Sequence, residues 1–339
     1  MVFKKMINGR ALYTEKDKVW IAQGMKFFSI DGEGKKNSKV YKVGKLKSKL
    51  IGICRLSRQL LREGIHHLLP LSNGGFIVCI KKNLYTLDCE GTILNIFKGY
   101  NGNKPGHQGI CITDDGTIFF GEYSLNPNRE LESRVFRSVN NGLSFECCLS
   151  LKGSEVRHIH FIKYDSFDKS IYMGTGDEDF ECKLYKSVNN GDSWEVVGEG
   201  SQLWRAIGLC ITPEYLIWGT DAGSVPDKNY ILRYNKKTNE LETICEVEGP
   251  CHGCASFANN DIYISTGVEG GINELDKFAH LKKIENDKVI EKLKIKKDVF
   301  PYILQFGVMR FPLGTEKFNK VIFTCYGLKK HGEVVLIEK

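Results

Sequence analysis

Short apolar runs of four or five residues recur along the chain, and none reaches helical length. The clearest are Val19–Ala22, Phe76–Ile80, Ile118–Gly121, Ile171–Gly174, Leu216–Gly219, Ile262–Ser265 and Val321–Thr324, spaced about 40 to 60 residues apart. β-branched and aromatic residues dominate them, as strands require. Another apolar run precedes each, and third and fourth runs follow in most units. In one unit these are Tyr230–Tyr234, a polar turn over 235–239, and Leu241–Ile244. A unit of four short strands repeated at this spacing predicts the blades of a β-propeller. The expectation is an all-β chain, one propeller domain over 1–339, with four-stranded antiparallel blades. Seven units favour seven blades, or six if the first and last units share one. Helical periodicity is confined to Leu50–Glu63, which predicts a short helix. The charged stretch Asn273–Lys297 predicts a hairpin or a helical insertion.

Two segments repeat almost residue for residue. Arg137–Phe145 and Lys186–Trp194 lie 49 residues apart. They resemble the Asp box of the sialidase-like BNR-repeat propellers, a Ser, an Asp, a Gly and an aromatic at fixed spacing. Ser138, Gly142 and Phe145 take those places in the first copy, and Ser187, Gly191 and Trp194 in the second. Asn140 and Asn189 stand where that family usually has Asp, and Asn can also bond back to a turn backbone. The resemblance implies hairpins between third and fourth strands. The stretch Arg157–Asp221 is also similar to uncharacterised, glycosyl hydrolase-like BNR-repeat proteins. The early motif of true sialidases does not occur near this N-terminus, Met309–Pro312 being a distant echo in another place, and their Tyr–Glu pair is not assigned to residues here. The resemblance therefore implies fold before activity.

Composition narrows the setting. Glycine is abundant at 35 and proline scarce at 8, which suits many tight turns. The net charge of +7 lies in Lys-rich turns. It can steer an anionic ligand, but no basic helix, finger or RNP motif accompanies it, so a nucleic-acid partner is not expected. Twelve cysteines are scattered, several inside apolar runs, which points to a reducing, cytoplasmic setting. Cys251 and Cys254 form a lone CxxC with no second pair. No apolar stretch is long enough for a membrane span.

Six of the eight histidines fall where units open: His66, His67, His107, His158, His160 and His252. Arg205 takes that place in the fifth unit. The steps from His67 to His107, His158, Arg205 and His252 are 40, 51, 47 and 47 residues. In a propeller these openings line the channel mouth. The residues after the second runs should meet them there: Glu122, the acidic run from Asp177 through Glu178 and Asp179 to Glu181, then Asp221 and Glu269. Tyr123, Trp204 and Tyr326 add aromatic faces.

His158 and His160 are two apart on a strand, so both imidazoles point to one side. With His107 and His252 they form a candidate site for a divalent transition metal. Oligogalacturonate lyases, also propellers, offer a fold-level analogy with a histidine-held metal. The alternative is a polar channel of imidazoles bonded to carboxylates and water. Glu122, Asp177, His158 and His160 are the candidate acid–base groups. Arg157 and Arg205 are candidate forks for a carboxylate, with Trp204, Tyr123, Asp221 and His67 as further substrate contacts. The expected ligand is a carbohydrate or another anionic small molecule, acted on by hydrolysis or elimination. The competing expectations are a non-catalytic propeller that binds a glycan or protein on this face, and a scaffold that binds a protein partner at its rim.

Overall fold

A computed structural model describes residues 2–43, 55–56, 64–223, 227–285 and 288–338. The helix expected over Leu50–Glu63 lies outside these residues except at 55–56. The seven apolar runs are all strands, the second of each successive group. Five groups form separate four-stranded antiparallel sheets, spanning Arg10–Lys42, His67–Phe97, Ile110–Leu151, Ile159–Glu199 and Cys210–Val247.

The remaining strands correct the expected count. Cys251–Ser256, Ile262–Val268, Phe278–Glu285 and Lys288–Lys296 do not stand alone. Gly267 and Val268 pair with Val308 and Gly307, which joins them to Gly307–Arg310, Val321–Tyr326, Glu333–Glu338 and Val2–Asn8. The arrangement is therefore five four-stranded blades plus one eight-stranded curled sheet, neither seven nor six separate blades. Glycine at 267 and 307 leaves room for the His252 ring and the Lys297 side chain that pack over the junction. The charged stretch near residue 280 is the hairpin of Phe278–Glu285 and Lys288–Lys296.

The ring closes in two ways. The first strand, Val2–Asn8, pairs with the last, Glu333–Glu338. Independently, the Thr14 N–H donates to the Leu313 carbonyl, and the Leu313 N–H donates to that of Leu12. Aromatic clusters fill the gaps between sheets. Trp20, Phe27, Tyr41 and Phe76 lock the first to the second, and Phe97, Phe120, Phe136 and Phe145 the second to the third.

The two nine-residue repeats form the same turn between third and fourth strands. Ser138 Oγ accepts the Gly142 N–H at 2.9 Å, and Asn140 Oδ1 accepts the Ser144 N–H at 3.0 Å. Ser187 and Asn189 do the same for Gly191 and Ser193 at 3.0 and 2.9 Å. Gly142 has φ +79°, and a Cβ there would sit 2.3 Å from Ile77 Cδ1 of the neighbouring blade. Gly142→Ala is therefore expected to cost about 1–3 kcal/mol through overpacking. Urea unfolding checks this, and an unchanged midpoint would mean that the two blades do not meet at this turn.

Candidate functional site

The channel mouth is assembled by the ends of the first strands. A one-residue bulge falls at Leu12, at His160 and at His252, each time in the pairing of a first strand with its second. Bulges re-aim side chains, and two of these three carry imidazoles. His158 and His160 are both buried. His158 Nδ1 donates to the Ser124 carbonyl at 2.8 Å, and His160 Nδ1 to the Ala206 carbonyl at 3.0 Å. A carbonyl only accepts, so both Nδ1 atoms carry the proton. In the neutral state each ring then turns a bare Nε2 lone pair inward, and these two nitrogens lie 2.9 Å apart. Burial pushes His160 towards that neutral state, against the pull of Asp177.

Asp177 faces the pair, its two oxygens 3.6 Å from His158 Nε2 and 3.5 Å from His160 Nε2. Arg157 bonds the same carboxylate at 2.7 Å and Arg205 at 3.1 Å. Burial opposes its charge, yet the Asp177 carboxyl is held far below the usual carboxylate range by the imidazoles, an effect that needs a proton on one of the two Nε2 atoms when no metal is bound. The Tyr123 ring lies 4.2 Å from that of His158, centroid to centroid, and stays partly open to solvent.

A second cluster abuts the first through Arg205. His252 Nε2 lies 2.6 Å from Glu269 and 3.8 Å from Asp221, and Arg205 Nε lies 3.8 Å from Asp221. Burial raises the Asp221 carboxyl to about 7, with His252 opposing and Glu269 adding to the rise. The unfolded carboxyl titrates near 3.8. Between these values the folded chain keeps a proton that the unfolded chain has lost. Stability therefore falls as pH rises through that window. Asp221→Asn cannot ionise and is expected to shrink the fall in melting temperature between about pH 5 and about pH 8. An undiminished fall would place the titration elsewhere.

The other sequence candidates are spent on structure. Glu122 is buried, and its oxygens accept from the Arg134 guanidinium, the Arg134 N–H and both nitrogens of Asn101. His67 Nε2 donates to the Gly106 carbonyl, and His107 Nε2 to the Phe311 carbonyl across the channel. The four histidines expected to share one metal thus separate, with Asp177 joining His158 and His160 and with His252 in the other cluster. Trp204 stacks on Trp218 at 5.5 Å and over Gly198, so its ring is packing rather than a sugar platform. Of the other acids near Asp177, Asp179 accepts from Gln202 and Glu181 pairs with Arg129. Sequence reasoning passed over the Ser124 and Ala206 carbonyls, since no side chain announces them. It also passed over Arg310, which acts electrostatically on Tyr123, His107, His252 and Glu269.

No family model and no curated protein matches the chain. Solved β-propellers do. The WD40 β-propeller domain of Doa1 aligns with TM-score 0.60 at 10% identity, over 100% of this chain and 97% of that one. Oligogalacturonate lyase from Vibrio parahaemolyticus gives 0.58 at 12%, over 98% and 92%. The GH74 enzyme of Niastella koreensis gives 0.54 at 13%, over 86% and 47%. The chain also spans 39% of a matching extracellular domain from B. thetaiotaomicron. At these identities the likeness is one of fold. Among the described residues no helix is long and apolar enough to cross a membrane.

Proposed function

We propose that the chain is a carbohydrate-active propeller whose channel mouth holds a divalent transition metal on His158, His160 and Asp177 and takes a ligand bearing a carboxylate. One observation carries this reading. Two imidazoles with Nδ1 fixed as donors aim bare Nε2 atoms at one point, 2.9 Å apart, beside a carboxylate. Two lone pairs so close repel unless a cation lies between them. A ligating histidine characteristically donates its other nitrogen to a carbonyl, as both do here. When bound, the ion would polarise a ligand oxygen as a Lewis acid. Tyr123 offers its exposed ring face as a stacking surface, and Asp221, raised to about 7, exchanges a proton near neutral pH. Carbohydrate-related propellers among the structural neighbours fit this reading at the level of fold.

A second reading has its own support. Glu122 and Asp177, the carboxylates expected to do acid–base work, are held by arginines. That favours a propeller that binds a glycan without turning it over. Metal analysis of the purified protein and titration of chelated protein with Mn²⁺ and Zn²⁺ test the metal. Binding is expected, with His158→Ala and His160→Ala each weakening it more than about tenfold. Undiminished binding in both variants, or none in the parent, would leave a single shared proton as the cation between the rings. Incubation with oligogalacturonate then separates the readings. Reducing ends or unsaturated products support an enzyme, and binding without products supports the second reading.

A further inference from the structure

We infer that Arg310, with Arg10 beside it, is an oxyanion receptor of the channel mouth, taking the carboxylate of a sugar acid or a phosphate. This deepens the proposed reading by reassigning its anion contact, and it rests on that reading only for the sugar.

The arginines expected to do this work are consumed. Arg157 gives Nη1 to Asp177 at 2.7 Å and Nε to the Leu125 carbonyl at 2.6 Å. Arg205 is buried and gives Nη2 to the same carboxylate at 3.1 Å. In each guanidinium every fork already includes a bonded nitrogen.

Arg310 is the opposite case. It ends the strand Gly307–Arg310, and among the described residues its side chain makes no hydrogen bond and no ion pair. Its Cζ lies 5.8 Å from the centroid of the Tyr326 ring. Arg10 Cζ stands at the same 5.8 Å from that ring, and its side chain's one hydrogen bond among the described residues, to the Ile65 carbonyl, is long at 3.5 Å. Two guanidiniums thus share one aromatic ring, and among the described residues no carboxylate is bonded to either.

Both guanidiniums are half-buried, and partial withdrawal from water without a carboxylate partner carries a cost. Two like charges around one ring add repulsion, and Arg10 and burial both work against the charge on Arg310. The imidazoles nearby give no relief. His107 is held well below its ordinary value by burial and by Arg310, so it is a neutral donor to Phe311. An oxyanion on the Arg310 fork would satisfy it and offset the repulsion from Arg10, and planar bidentate pairing is what guanidinium offers best. Its place also suits the ligand already proposed. Arg310 acts on Tyr123, the ring that lies against His158, and on Glu269 and His252.

The test uses the whole protein, titrated calorimetrically with D-galacturonate, D-galactose and inorganic phosphate. One of the two anions is expected to bind the parent, and the anion that binds identifies the source of the oxyanion. Arg310→Gln is expected to weaken that anion at least tenfold. Arg310→Lys, which keeps the charge and loses the fork, should fall between. Without ligand, Arg310→Gln should melt no lower than the parent, because no ion pair is lost. The inference is overturned if neither anion binds the parent, if Arg310→Gln binds the anion undiminished, or if its ligand-free melting temperature drops by several degrees. Metal content is measured on the same samples. Arg310-dependent phosphate binding without metal would retain the receptor and remove the metal reading. Retained metal with no anion binding would do the reverse.

Discussion

Glu122→Ala is expected to lower the unfolding free energy by about 1–3 kcal/mol, the cost of leaving part-buried donors without their acceptor. By position alone Glu122 looks like an acid–base candidate, since it follows a second strand at the channel mouth. Its surroundings say otherwise. The carboxylate is buried and receives the Arg134 guanidinium at 2.7 and 3.1 Å and the Arg134 N–H at 2.9 Å, together with both nitrogens of Asn101. Arg134 also reaches the Gly99 carbonyl, so the cluster ties the segment after the second blade to the third blade. Removing the carboxylate leaves a half-buried guanidinium and several donors without their acceptor. Glu122→Gln retains the shape and some of the bonds, so it should cost less. Urea unfolding followed by circular dichroism measures both. A Glu122→Ala protein as stable as the parent, but unable to act on a ligand, would restore the catalytic role.

Much of the fold is legible because strand chemistry is local. Val19–Ala22, Ile171–Gly174 and the other runs declare themselves by β-branched and aromatic residues, and all of them are strands. The sheet count is not legible in the same way. Whether two strand groups join depends on lateral pairing such as Gly267 with Val308, and the sequence carries no mark of that pairing. At the site, the spacing that brings His158 and His160 to one side follows from strand period, and their meeting with Asp177 follows from blade repetition. The state of each charge does not follow. Arg157 and Arg310 look alike in a sequence, yet one is bonded to a carboxylate and the other, among the described residues, to none. Arg310 also falls out of step. The hairpin of eight- and nine-residue strands at Phe278–Lys296 stretches the interval after His252 to 58 residues. The bulges at His160 and His252 leave no composition signal, although they help set where the imidazoles point.

Deleting residues 2–8 is expected to remove at least ~3 kcal/mol of stability and to make the protein aggregate. This strand pairs with Glu333–Glu338 from Val2 opposite Glu338 to Asn8 opposite Glu333. It contributes to two separate cores, with Phe3 packed against the cluster of Phe311 and Phe323 and with Met6 and Ile7 against that of Ile21 and Phe28. Without it, Val334 to Ile337 become an unpaired apolar edge, open to pairing with another chain. The contacts of Leu313 with Leu12 and Thr14 still hold the ring at its inner strands. The truncated chain should therefore keep its channel mouth while losing its outer seal. A synthetic peptide of residues 1–9 supplied in trans should dock on the exposed edge by strand addition. It should raise the melting temperature and suppress light scattering, whereas a scrambled peptide should do neither. If the truncated chain melts like the parent, closure rests on the inner strands alone. If it unfolds outright and the peptide fails to rescue it, the outer strand is needed before the ring can form.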